Sequence, residues 1–269
     1  MTAGAITAGA MTAATPADMA VIDEVTALCR RLRLKYVREQ LTDVVLTARA
    51  QRWDPAETLR VLLNAEIEGR DRSTIEHRQH RARFPTGKTF DTWVESRSSI
   101  TAATQRALRS LEWVTRAENV VVAGPQGTGK SHLLEALGHH AIDQGLAVAW
   151  FSVEDLGTLI RRHRVDDTVS KAFAALTAVP LTIVDDIGLL PVSADAAEGL
   201  YRLVDAAYER RSLAISTNLH PSGFDQLTDK TIASALVDRL MHHAHVVVTE
   251  GESVRLVDAL AGKGVMPLA

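Results

Sequence analysis

With one cysteine in 269 residues, Cys29 has no partner within the chain, so an intrachain disulfide framework is excluded and a reducing cytoplasm is the natural setting. The thiol itself reads as a small apolar group on a buried helix face. No apolar run approaches the roughly 20 residues needed to cross a bilayer, so no membrane partner is expected. The first twenty residues are small and Ala/Thr-rich without the basic flank of a secretory signal. Residues 1–18 read as a disordered tail, with Met11 and Met19 as alternative starts.

Net charge is also scarce. The total of -3 gives no global affinity for nucleic acid, but it hides an asymmetry. Up to Ala117 there are 18 Lys and Arg against 14 Asp and Glu; beyond it there are 12 against 19. Two domains with different partners would give such a contrast. The 46% hydrophobic content is ample for a buried core.

From Ala20 to about Arg83 apolar residues recur at helical spacing: Val21, Val25, Leu28 and Leu32, then Leu34, Val37, Leu41, Val44 and Val45. A third helix starts at Asp54-Pro55-Ala56-Glu57, with a carboxylate cap, a proline in the first turn and Glu at the capping-box position. Leu59, Leu62, Leu63 and Ile67 are expected to face the bundle. Beyond Gly69 the helix carries Arg70, Arg72, Arg78, Arg81 and Arg83 with only Ile75 to bury, and reads as solvated or partner-facing. Phe84-Pro85-Thr86-Gly87 breaks it. The organisation predicted is a helical domain over 19–84, a linker with a short helix over 85–116, a larger core over 117–257 and a tail over 258–269.

After Asn119 the pattern changes to short continuous apolar runs: Val120 to Ala123, Ala147 to Phe151, Leu181 to Val184, Leu213 to Ile215 and Val246 to Val248. Such runs alternating with helices predict an α/β fold, a parallel five-stranded sheet covered on both faces. Ser152 with Asp155 three residues on caps the helix after the second strand. The about 28 residues before the third strand leave room for two helices.

Gly124-Pro125-Gln126-Gly127-Thr128-Gly129-Lys130-Ser131 matches G-x-x-x-x-G-K-[ST] between an apolar strand and the helical run His132 to Ile142. The glycines turn successive N–H groups inward around phosphates, and the helix N-terminus adds partial positive charge. Lys130 would reach the terminal phosphates of ATP, and the Ser131 hydroxyl would ligate Mg²⁺. About 55 residues downstream, Leu181-Thr182-Ile183-Val184-Asp185-Asp186 is a strand ending in two carboxylates. Asp185 would hold the magnesium, and Asp186 would orient or deprotonate the attacking water. Asn218, closing the next strand, would either position that water or simply turn the chain.

The motif order, with Ala235 to Leu240 ending a helix before the last strand, resembles the AAA+ core. More narrowly, the chain resembles the IstB-like ATP-binding helpers of two-gene insertion sequences, relatives of the DnaC helicase loaders. The segments carrying this are Glu66 through Pro85, Arg116 to Asn119 leading into Gly124 to His132, Tyr208 to Ser212, Asp238 to Val246, and Gly251 to Leu256. The resemblance implies an ATPase that assembles as a homo-oligomer on duplex DNA, with ATP sites at subunit interfaces, bends it, and recruits and stimulates a transposase. It casts Arg239 as an arginine finger for a neighbouring subunit's nucleotide, against a plain local ion pair, and brings His132 and Arg255 toward the nucleotide. Two departures stand out. Asp186 replaces the usual Glu, and only about 20 residues follow the last strand, too few for the usual helical lid.

Arg161, Arg162, Arg164 and Lys171 follow the second strand and, with the Arg70 to Arg83 stretch, offer two surfaces for the DNA backbone or two solvated faces. Neither has interleaved aromatics, so contact would be to phosphate without base reading. His242, His243 and His245 are not expected to bind metal, no carboxylate or thiolate being evident to complete the set. A helicase loader and a small-molecule phosphotransferase are the rival functions.

Overall fold

The computed structural model describes residues 15–188, 192–219, 223 and 230–260. Contacts divide the chain into two compact units between Glu76 and His77. In the first, α1 (Pro16–Arg31), α2 (Lys35–Gln51) and the start of α3 (Pro55–Ala82) form a small bundle. Helix α1 begins before Met19 because Thr15 and Asp18 close a full capping box; residues 1–14 of the expected tail lie outside the described residues. The bundle core is Ile22, Cys29, Val37, Leu41 and Leu62.

The faces of α1 and α3 differ from expectation by about one residue. Ile22 and Cys29 are buried, whereas Val21, Leu28 and Leu32 are exposed. On α3, Leu62 turns inward and Leu59, Leu63 and Ile67 are 57%, 45% and 58% exposed. For α3 the physical reason is Glu66. Helix α2 has no side-chain cap of its own, and the buried Glu66 carboxylate accepts from the amides of Tyr36 (2.8 Å) and Val37 (2.9 Å). Satisfying those donors turns the Leu62–Glu66 side of α3 inward. Burial pulls the Glu66 pKa up, but the Val37 amide, Arg70 and the Tyr36 amide together hold it below the usual carboxylate range. At the start of α3 Asp54 caps the Ala56 amide as predicted, while Glu57 pairs with Arg60 instead of closing a box.

The second unit is built on five parallel strands in the order β2-β3-β4-β1-β5. They are β1 (Asn119–Ala123), β2 (Val148–Ser152), β3 (Leu181–Ile187), β4 (Ser212–Thr217) and β5 (Ala244–Val248). One face carries Val121, Val184, Leu213 and Ile215, packed with residues of α7 (Val153–Arg164), α8 (Val169–Leu176), α9 (Ala194–Ala207) and α10 (Lys230–Met241). The other meets α6 (Lys130–Asp143), where a Cβ on Gly138 would come within 3.0 Å of Ile183. Burial on both faces explains the unbroken apolar runs. The predicted second cap is present, Ser152 and Asp155 forming a full box at α7, and two helices do lie between β2 and β3. Helices α4 (Ala102–Arg109) and α5 (Glu112–Thr115) precede the sheet, and α11 (Val254–Leu260) follows β5.

Candidate functional site

The loop from Gly124 to Gly129 joins the end of β1 to α6. Gly124, Gly127 and Gly129 all have positive φ, at 151°, 81° and 92°. At Gly127 a Cβ would meet Ser253 Oγ at 2.0 Å, and at Gly124 it would meet the Thr249 backbone oxygen at 2.2 Å. These glycines are therefore required both by backbone shape and by the closeness of the segment after β5. Val254 N–H donates to the Gly127 carbonyl at 3.0 Å, and the Thr128 and Thr249 hydroxyls lie 2.7 Å apart. Gly129 is the N-cap of α6 and has no side chain to occupy the first-turn amides, which leaves them for an anion.

Lys130, at the first position of α6, donates from Nζ to the Gly124 and Pro125 carbonyls, both at 2.8 Å. Burial lowers its pKa, while Asp186 and Asp185 act in the opposite direction. Asp185 lies two residues before the end of β3, opposite Ser152, and is buried. Burial raises its pKa, against hydrogen bonds from the Ser216 and Ser131 hydroxyls. The Ser131 hydroxyl, one of the groups that act on Asp185, thus lies near it, and the two expected magnesium ligands share one side of the site.

A regular strand would send Asp185 and Asp186 to opposite faces. The β3–β4 register breaks between Val184 and Ile187, and Asp186 takes a left-handed backbone at φ 58°. Its amide leaves the ladder and donates to Ser216 Oγ at 2.9 Å, while the same oxygen donates to Asp185 Oδ1. Such a bulge re-aims a side chain. Asp186 thereby lines, with Lys88, Gln126, Gly127, Gly129 to His132, Val254 and Arg255, a cavity of about 190 Å³. Beside it lies a pocket of about 100 Å³ bounded by Thr92, Trp93, Val94, Arg97 and Thr128, which shares Gly129, His132 and Val254 with the first. The His132 ring meets Trp93 edge-on at 5.1 Å, and burial lowers the His132 pKa.

A strand-loop-helix cradle with inward amides, an ammonium group and two carboxylates fits a nucleoside triphosphate with its magnesium ion. Comparison with known proteins agrees on the nucleotide. The family model described as IstB-like ATP binding protein matches residues 27–261. The chain belongs to the IstB-like ATP-binding proteins. The ATP-binding protein assigned to insertion sequence IS232 of Bacillus thuringiensis subsp. berliner is 31% identical over 237 residues, 87% of this chain and 95% of that protein. Its counterpart from IS21 of Pseudomonas aeruginosa is 30% identical over 238 residues, 87% and 89% of the two chains. The replication initiator DnaA bound to AMPPCP and single-stranded DNA superposes with a TM-score of 0.53 at 18% identity, over 68% of this chain and 58% of that one. Domain III of DnaA from Thermotoga maritima gives 0.50 at 16%, over 68% and 78%. Those likenesses show the shared AAA+ P-loop fold.

In this IstB-like protein the remaining residues singled out from sequence fall into three groups. Arg255 lines the phosphate cavity. Asn218 is exposed just beyond β4, outside the lining, and a Cβ at Gly188 would come within 2.9 Å of its Oδ1. Arg239, on α10, also lies outside the cavity: its guanidinium is 3.3 Å from Asp205, 3.4 Å from the Tyr201 hydroxyl and 5.6 Å from the Tyr201 ring centre.

Several basic residues already have partners. Arg70 pairs with Glu66, Arg161 with Asp195 and Arg164 with Asp195 and Glu198. Arg72, Arg78, Arg81, Arg83, Arg162 and Lys171 have no ion pair among the described residues. The histidine reading needs one correction. Glu209, placed by the turn before β4 at φ 56°, does bring a carboxylate to His242 and His243, all three exposed. His245 pairs elsewhere, with Glu118 at 2.7 Å. Three residues of the site carried no sequence signal: Lys88 and Trp93 sit in a stretch read as linker, and Ser216 is one serine in an apolar strand. No helix among the described residues is long and apolar enough to cross a membrane.

Proposed function

We propose that this chain is a magnesium-dependent ATPase that assembles on duplex DNA, completes its hydrolytic site across a subunit boundary, and serves a transposase. The carrying observation is the division of the machinery. The phosphate loop, Asp185, Asp186 and Arg255 gather in one place, while Arg239 is held outside it by Asp205 and Tyr201. Arg239 makes the local ion pair that the sequence left open, and it would exchange Asp205 for a neighbour's nucleotide on assembly. The names of the relatives, ATP-binding proteins of insertion sequences, supply the biological setting.

In this reading the triphosphate lies along the loop, and Lys130 exchanges two loop carbonyls for phosphate oxygens. Ser131 and Asp185 would hold magnesium, which would supply charge stabilisation for the terminal phosphate. Asp186, turned into the cavity by its left-handed backbone, orients the attacking water and accepts its proton. Asn218, whose Oδ1 lies beside Gly188 just beyond β3, would help to place that water. The base enters the pocket beside Trp93 and Val254, where apolar contact and edge-on aromatic packing favour a purine. Arg239 enters the neighbouring subunit's site and offsets charge developing on the transferred group.

DNA contact falls to the cations without carboxylate partners: Arg72, Arg78, Arg81 and Arg83 on or beside α3, with Arg162 and Lys171. They would track phosphates without reading sequence, so binding should weaken steeply with salt. The test is light scattering with ATP, magnesium and duplex DNA, paired with hydrolysis rates. Arg239→Ala should keep ATP affinity and lose about a thousandfold in turnover. Wild-type turnover in that variant, or capture of a replicative helicase in place of a transposase, overturns the reading.

A further inference from the structure

Lys88 lies in the stretch between the break at Phe84 and α4, yet its position is tightly determined. The preceding residues are fastened to α6, the helix that the phosphate loop opens. Glu135 of α6, itself buried, accepts from the Thr86 amide at 2.9 Å, the Thr86 hydroxyl at 2.6 Å and the Gly87 amide. Phe84 packs on the His139 ring of the same helix at 4.2 Å and edge-on to Trp150 at 5.9 Å. The next side chain along, Lys88, lines the phosphate cavity with Lys130, Ser131, Asp186 and Arg255.

Lys88 is half-buried and makes no hydrogen bond or ion pair with any described residue. Arg255, on the same lining, likewise has none. Three cations, Lys88, Arg255 and Lys130, share this concave lining with one carboxylate, Asp186, an excess of positive charge that a phosphate anion would offset. The lining also orders the groups along the site. Gly129, His132 and Val254 border both the phosphate cavity and the Trp93 pocket, whereas Lys88 and Asp186 border the former alone. Lys88 thus shares the phosphate cavity with Lys130 and Asp186, the groups assigned to the terminal phosphate, and does not border the base pocket.

We propose that Lys88 is a second triphosphate ligand acting within its own subunit, presented by the segment fastened to Glu135 and directed at the terminal phosphate. This rests on the nucleotide reading above and adds a residue and a specificity to it: Lys88 distinguishes ATP from ADP. It also gives the Glu135 attachment a purpose, since a lysine on a free linker would surrender much of its contact energy to ordering.

The experiment is equilibrium titration of the full-length protein with a fluorescent non-hydrolysable ATP analogue and with fluorescent ADP, both with magnesium. Lys88→Gln should weaken the ATP analogue about tenfold and leave ADP within about twofold, because only one charge-assisted contact is lost. Lys88→Arg should restore most of the preference. Unchanged affinity for both nucleotides, or an equal loss for both, overturns the assignment. Lys130→Ala runs alongside: if it leaves ATP affinity intact, the nucleotide reading itself fails, a result separable from a silent Lys88→Gln.

Discussion

The hydroxyl of Ser216 donates to Asp185 Oδ1 and accepts from the amide of Asp186, so one fully buried oxygen fixes both carboxylates at the end of β3. Removing it should leave Asp185 less firmly oriented and the Asp186 amide without its partner. Ser216→Ala is expected to raise the magnesium needed for half-maximal nucleotide binding and to slow hydrolysis, each by about 10- to 100-fold. Binding of ATP in the presence of a chelator should change little. Equal loss of binding with and without magnesium would show a general collapse of the site.

Asp186 combines an exposed carboxylate with a left-handed backbone, a conformation that Asp tolerates better than most residues. Asp186→Asn keeps the backbone preference and removes the base, so hydrolysis should fall by about a hundredfold or more while ATP binding persists. Asp186→Glu should preserve or raise turnover by carrying the carboxylate one methylene further, with a small loss in melting temperature. Complete loss of turnover in the Glu variant would count against the role of this residue.

Burial lowers the pKa of both His132 and His139, and His139 Nε2 is buried without a hydrogen-bond partner. In the unfolded chain both would protonate near the ordinary value of about 6.5, whereas the fold resists the proton. Their contribution is therefore complete above that value and declines as pH falls through and below it. Melting temperature should drop between pH 7 and 5.5, and His139→Leu should flatten that slope. A slope unchanged in this variant would remove His139 from the account.

Glu66 offers a stability test confined to the first unit. Substitution by Leu leaves the Tyr36 and Val37 amides at the start of α2 without acceptors, at a cost of about 2–4 kcal/mol. Because its pKa is held low, the contribution is present above the ordinary carboxylate value and disappears as pH falls through the folded one. Urea unfolding monitored on the helical signal should show the loss at neutral pH and a smaller difference at pH 3.

The strands were legible because burial on both sides leaves a run of Val, Ile, Leu and Ala that little else produces, and the phosphate loop because Gly, Lys and Ser at fixed offsets report a shape and a charge together. The inward faces of α1 and α3 were not. A carboxylate turned into the bundle to cap another helix, as Glu66 is, runs against the apolar periodicity that sequence reading relies on. The bulge at Asp185 and Asp186 was equally hidden, since it arises from a cross-strand hydroxyl 30 residues away. Lys88 and Trp93 escaped notice because the site takes them from a segment with no periodicity of its own.

Asn119 opens β1, and its side chain is shared between two other elements: Oδ1 accepts from the Leu213 amide of β4, and Nδ2 donates to the Leu240 carbonyl of α10. Its own amide donates to the His243 carbonyl at 2.7 Å. The helix that carries Arg239 is thus stitched at its far end to the strand whose other end becomes the phosphate loop. One side chain therefore ties the end of α10 that carries Arg239 to the strand that leads into the nucleotide loop, so a displacement of either would be felt by the other through a few short bonds.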